Sequence, residues 1–223
     1  MKKFELTNEF ITNMFGTKLF RIRALVEFGD VEAGELGGYV EKESNLGHDD
    51  NAWVYDNAWV YGDAQVSGNA WVYGNALVYG NAQVSGNAQV SGDARVRGNA
   101  WVYGDAQVSG NARVYGNAWV YGNAWVYGNA WVYGNALVCS DEDYAYAHGF
   151  GSVNRTTTFF RLKDGGVGVR CGCFYGTLAQ FRDKIRETHG ETKKAQEYLM
   201  LADLMELRFE EDENEVGNRK YVE

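Results

Sequence analysis

From Asn51 to Ser140 the chain repeats one six-residue phrase, Gly-Asn-Ala-x-Val-x, fifteen times without an insertion. Ala recurs at every sixth position from Ala52 to Ala136, and Val follows two places later, from Val54 to Val138. A strict short period makes each unit one rung of a solenoid, which buries its apolar face only by stacking on its neighbours. Ala and Val lie two residues apart, so on an extended backbone they share one side and the residue between them takes the other. Gly-Asn or Gly-Asp then tolerates the positive φ that a sharp corner requires. The chain contains no proline, which agrees with turns made by Gly and Asn. Short strands and corners that always turn the same way enclose a narrow core of alternating small and branched side chains.

This pattern resembles the hexapeptide-repeat family, whose left-handed parallel β-helix uses three hexads per coil, with an aliphatic residue inward and a small one two places earlier. The resemblance covers the ninety repeat residues and implies a mainly β fold of about five coils, ~24 Å long at ~4.8 Å per rung. Three regions follow: residues 1–50 as an N-terminal β cap, 51–140 as the left-handed β-helix, and 141–223 as a C-terminal ββαα module with an acidic tail.

In the first region Phe4-Glu5-Leu6 and Leu19–Val26 read as strands around Gly16. A terminal rung exposes unpaired backbone and core, so a cap is expected there. In the last region Thr156–Leu162 and Val167–Cys171 flank Asp164-Gly165-Gly166, a hairpin signal. Thr177-Leu178-Ala179-Gln180 has the spacing of a capping box and opens a helix that stops near Gly190. A second helix is expected from about Lys193 to Phe209.

A formal charge of −9 and a pI near 4.9 argue against duplex DNA or an anionic membrane as partner. No stretch has the apolar length of a membrane span, and Met1–Leu6 lacks the core of a secretory signal. Three cysteines, Cys139, Cys171 and Cys173, suit a reducing compartment. A cytoplasmic protein is expected.

The whole chain also resembles a group of uncharacterised phage and prophage proteins. The residues that carry this are Arg21–Leu25, Phe28–Val31 and Gly37–Glu41 before the repeats, and Thr156–Phe159, Gly172–Phe174, Gly176–Leu178 and Thr188–Gly190 after them. The resemblance implies a phage-borne accessory protein and brings no established activity.

Hexapeptide-repeat enzymes include acyltransferases with a catalytic His on or beside the coils, and carbonic anhydrases with three His ligands on zinc. No His lies between Asn51 and Ser140, so both readings lose their residues. His48 could act as a base, but with no partner visible it reads first as a polar residue of the cap. Cys171 and Cys173 share a strand face and could join His148 or His189 as a metal or thiol–imidazole site, but two buried thiols explain the same residues and two ligands two residues apart are too few for a structural zinc. No catalytic residue, metal or cofactor is assigned, and a non-enzymatic protein is expected, with an acyltransferase-like enzyme as the remaining alternative.

With eighteen residues per coil, the outward positions form three faces. The first stacks Trp53, Trp71, Gln89, Gln107 and Trp125; the second Trp59, Leu77, Arg95, Arg113 and Trp131; the third Gln65, Gln83, Trp101, Trp119 and Leu137. All seven Trp are expected on this outer surface. Exposed aromatic ladders mark interfaces, so self-association as a homotrimer is expected, with a structural trimerisation stalk for the C-terminal module as one reading. Arg95, Arg97 and Arg113 are the only charged outward strand residues of the repeats, with Tyr79 and Tyr115 bracketing Arg97. Three clustered guanidinia call for an anion between them. Corner carboxylates of a neighbouring subunit (Asp63, Asp93, Asp105) meet that need, and so does a phosphate, since Arg forks bind it bidentately and Tyr stacks on bases. A second polar set, Asn154, Arg155, Thr157, Arg161 and Arg170, reads as an exposed strand or as a holder of phosphate or ribose. The candidate ligand residues are therefore Arg95, Arg97, Arg113, Tyr79, Tyr115, Arg155, Thr157 and Arg170. The expected function is sequestration of a small anionic or nucleotide ligand, such as a signal of bacterial defence.

Overall fold

The computed structural model describes residues 2–151 and 155–210. Three N-terminal strands, β1 (Phe4–Thr12), β2 (Lys18–Ala24) and β3 (Leu36–Val40), precede fifteen short strands, β4–β18, that run from Trp53–Val54 to Leu137–Val138. Four further strands follow: β19 (Tyr144–Phe150), β20 (Arg155–Arg161), β21 (Val167–Cys171) and β22 (Phe174–Thr177). Two helices close the described chain, α1 (Leu178–His189) and α2 (Lys193–Phe209). No helix among the described residues is long and apolar enough to cross a membrane.

The repeat winds into three parallel sheets in which partners lie eighteen residues apart, as in Trp53 with Trp71, Trp59 with Leu77 and Gln65 with Gln83. Every Ala from Ala52 to Ala136 and every Val from Val54 to Val138 is fully buried. Corners need φ > 0, and Gly supplies it; Gly86 sits at φ 69°, where an added Cβ would lie 2.8 Å from the Gly104 nitrogen. At the first two corners Asp50 and Asp56 take the same conformation, at φ 55° and 52°. Amide side chains ladder along the corners, for instance Asn81 to Asn99 to Asn117 to Asn135.

The solenoid has about six turns, not the five counted from the hexads. Tyr39 and Val40 of β3 pair in parallel with Trp59 and Val60, and Leu46 bridges to Val66. These partners are twenty residues apart, two more than in the repeat, which hides this rung from a search at a strict period. The antiparallel hairpin β1–β2 joins the edge of the same sheet.

The C-terminal module differs from the expected ββαα unit by two strands. Its sheet has the order β19-β20-β21-β22, so a strand flanks each side of the expected hairpin. The Tyr-Ala-Tyr-Ala alternation of β19 was a legible strand signal, whereas β22 is four residues long and runs into the helix cap. The α1 cap is as expected: the Gln180 amide donates to Thr177 Oγ1 at 3.3 Å, and the Thr177 amide to Gln180 Oε1 at 2.9 Å. Alternate residues of β20 serve two cores. Phe160 joins the solenoid core, and Phe159 packs with Phe181, Ile185 and Tyr198 of the helices. The module therefore sits on the last rung as a lid. The acidic tail beyond Glu210 and Asn154 of the hairpin set lie outside the described residues.

Candidate functional site

Because all strands of one sheet share a register, outward side chains eighteen residues apart stack directly. Arg95 opposes Leu77 on one side and Arg113 on the other, while Arg97 opposes Tyr79. The Arg97 guanidinium lies 4.1 Å from the Tyr115 ring centroid and 5.9 Å from that of Tyr79. Arg113 lies 4.4 Å from the Trp131 centroid. Below them Tyr61 and Tyr79 stack at 4.9 Å and 4°. Each exposed contact of this kind is worth about 0.5–1 kcal/mol, and together they hold the Arg97 and Arg113 guanidinia against the sheet.

Among the described residues none of these three arginines has a carboxylate within ion-pair range. The corner carboxylates are otherwise engaged. Asp63 pairs with Lys42 at 2.7 Å, Asp93 accepts from Asn75 at 3.1 Å, and Asp105 accepts from Asn87 at 2.8 Å. The positive field also reaches the tyrosines. Burial pushes the Tyr61 hydroxyl up to about 12, with Tyr79 adding to the shift and Arg95 and Arg97 opposing it. Tyr115, only 8% exposed, is likewise raised by burial and by Tyr79, against Arg113, Arg97 and Arg95. Two of the guanidinia, Arg95 and Arg97, stand exposed to solvent.

The hairpin set does not assemble as one site. Arg170 crosses to the prism, 5.4 Å from the Trp131 centroid and 5.1 Å from that of Tyr133, and donates to the carbonyls of Cys173 and Phe174 at 3.1 and 3.2 Å. It thus continues the arginine–aromatic ladder past Arg113, which its sequence position gave no means of foreseeing. Thr157 is only 1% exposed and bonds to Cys171 Sγ at 3.2 Å, because strand alternation turns it toward the helices. Arg155 is exposed and lies on the far side of the module, over Gly172. Arg161 pairs with Asp143 at 3.1 Å inside the lid.

One expectation about the tryptophans is corrected. Trp53 is fully buried, not outward in solvent, because Phe4 and Phe28 close over it at 6.2 and 5.3 Å. The N-terminal hairpin covers the first face at its start. Trp101, Trp125 and Tyr127 remain 39%, 47% and 44% exposed.

The histidines lie apart. His48 accepts from the Lys3 amide at 3.2 Å and stacks on Phe4, His148 contacts Thr156 at 3.0 Å on β19, and His189 stacks on Tyr198 at the end of α1. Among the described residues no group of three or more His, Cys, Asp or Glu is arranged to hold a metal ion.

These features define a repeat β-solenoid protein with a cationic, aromatic strip along one face. Comparison with family models agrees on the repeat. The model described as YdcK beta solenoid repeat matches residues 64–80, 70–86, 88–104, 106–122 and 119–134. No curated protein matches the chain.

Proposed function

We propose that this chain is a non-enzymatic, phage-encoded, left-handed hexapeptide-type solenoid that sequesters a small anionic ligand on the strip of Arg95, Arg97 and Arg113. The carrying observation is that three arginines on one face, Arg95 opposite Arg113 with Arg97 beside them, have no carboxylate partner among the described residues, while Tyr79 and Tyr115 flank Arg97. Like charges gathered on one face repel, more where solvent is excluded, so a bound anion offsets that repulsion. Arg forks match phosphate oxygens, and an aromatic neighbour accepts a base, which favours a nucleotide within the anionic class. The phage origin rests on the sequence resemblance, and a nucleotide signal of host defence in the host cytoplasm follows from it.

A calorimetric screen of cyclic and linear nucleotides against wild type and Arg97→Ala tests this. One charge-assisted bond is worth about 1.5–3 kcal/mol, so the variant should bind about ten-fold more weakly or worse. If no nucleotide binds, or if the variant only changes oligomeric state, the strip is an intersubunit contact.

The working unit in this proposal is a homotrimer. Its support is the exposure of Trp101, Trp125 and Tyr127 on the other faces, since apolar rings in rows mark interfaces. Light scattering should give a mass near three times the 24.9 kDa of one chain. The same exposure favours the second reading, a trimerisation stalk without ligand. A clean monomer at micromolar concentration overturns both the trimer and the stalk.

A further inference from the structure

The C-terminal module carries a half-open cleft of about 210 Å³ between β21–β22 and the two helices, away from the prism strip. Its floor is apolar: Phe174, Phe181, Ile185 and Tyr198. Its rim carries Arg155, Lys184 and His189, with Thr188 beside them. At about 210 Å³ the cleft lies below the roughly 300–1,000 Å³ of drug-sized sites and suits one small ring or branched chain.

The rim is positively biased for structural reasons. Lys184 shares its charge with Glu187 at 2.8 Å, but Arg155 has no carboxylate partner among the described residues. Gly172, at φ 58°, makes room for that guanidinium; a Cβ there would stand 2.0 Å from Arg155 Nη1. The other acid nearby, Glu197, already accepts from the Gly151 amide at 3.1 Å. His189 is fixed by stacking on Tyr198 at 6.0 Å and 25°. Concave, mostly apolar sites with a few converging polar groups are what small-molecule sites look like.

We infer that this cavity binds a small amphipathic anion, an aromatic or branched apolar body bearing one carboxylate or phosphate, with Arg155 as its principal anion contact. The apolar body packs against Phe174 and Cys171, which keep accessible surface over the buried Phe181 and Tyr198, and its charge meets Arg155 at the mouth. A charge-assisted bond in a partly dry pocket separates anionic from neutral bodies of the same shape.

Ligand-detected NMR and calorimetry with phenyl phosphate, benzoate and neutral benzyl alcohol test the assignment on the full chain. Phenyl phosphate or benzoate should bind at least ten-fold more tightly than benzyl alcohol, and Arg155→Ala should remove that preference. Arg97→Ala, on the prism strip, should leave it unchanged, so this site and the nucleotide strip stand or fall separately. Lys184→Ala should weaken the anions less than Arg155→Ala, because Lys184 is already paired. The inference is overturned if neither anion binds, if benzyl alcohol binds equally, or if Arg155→Ala keeps the preference.

Discussion

At its first rungs the solenoid presents backbone carbonyls, and Lys3 and Asn45 meet them with N–H donors; at its last it presents N–H groups, and Asp141, Asp143 and Thr158 meet them with oxygens. Lys3 Nζ donates to the Ala52 carbonyl at 2.8 Å, and Asn45 Nδ2 to those of Gly62 and Ala64 at 3.0 and 2.8 Å. At the other end the Trp125 amide donates to Asp141 Oδ1 at 2.6 Å, that of Trp131 to Thr158 Oγ1 at 2.9 Å, and that of Cys139 to Asp143 Oδ2 at 2.9 Å. The reason is the direction of the ladder. Each strand amide donates one rung onward, as Trp71 does to Ala88 and Trp119 to Ala136, both at 2.9 Å. The rungs share one polarity, so acceptors are orphaned at the start and donors at the finish. Buried orphans cost about 1–3 kcal/mol each, and side chains of the matching sense satisfy them.

The largest test of this contrast is Asp143→Ala. It removes the acceptor of the Cys139 and Ser140 amides and breaks the buried Asp143–Arg161 ion pair inside the lid. A loss of about 3–5 kcal/mol is expected, read as a fall in the urea midpoint. A change under 1 kcal/mol would mean the lid contributes little to holding the last rung.

At the opposite end, Asn45→Ala strips the donor from two carbonyls and the acceptor from the Lys42 amide. About 1–3 kcal/mol should be lost, less than at Asp143 because no buried ion pair is broken. Equal losses at the two ends would argue that charge is not what separates them.

The remaining effect is a pH dependence. Burial drives the Lys3 ammonium from 10.5 down to about 8, against the opposing pull of Asp50 and Asp49. The folded chain therefore gives up this proton before the unfolded chain does. Between about pH 8 and 10.5 the unfolded state binds the extra proton, so stability from this group rises with pH; below pH 8 both states hold it and the slope vanishes. Comparing unfolding free energies of wild type and Lys3→Met from pH 7 to 10.5 isolates it. Parallel curves would remove Lys3 from the account.

The repeat alone determined the inward Ala and Val, the eighteen-residue register and the grouping of Arg95, Arg97 and Arg113, because a fixed period leaves each residue one place on the prism. The capping box and hairpin of the module were equally legible, since both are contacts within a few residues. What tertiary structure decided involves partners far apart in the chain. Lys3 reaches Ala52, Phe4 and Phe28 bury Trp53, Thr158 caps Trp131, and Arg170 joins the ladder that Arg155 and Thr157 leave. The additional rung at Tyr39 belongs to this group too, because its two extra residues break the period. Periodicity specifies how a rung stacks on the next, but the terminal rungs have no next, and only the packed ends choose the side chains that replace it.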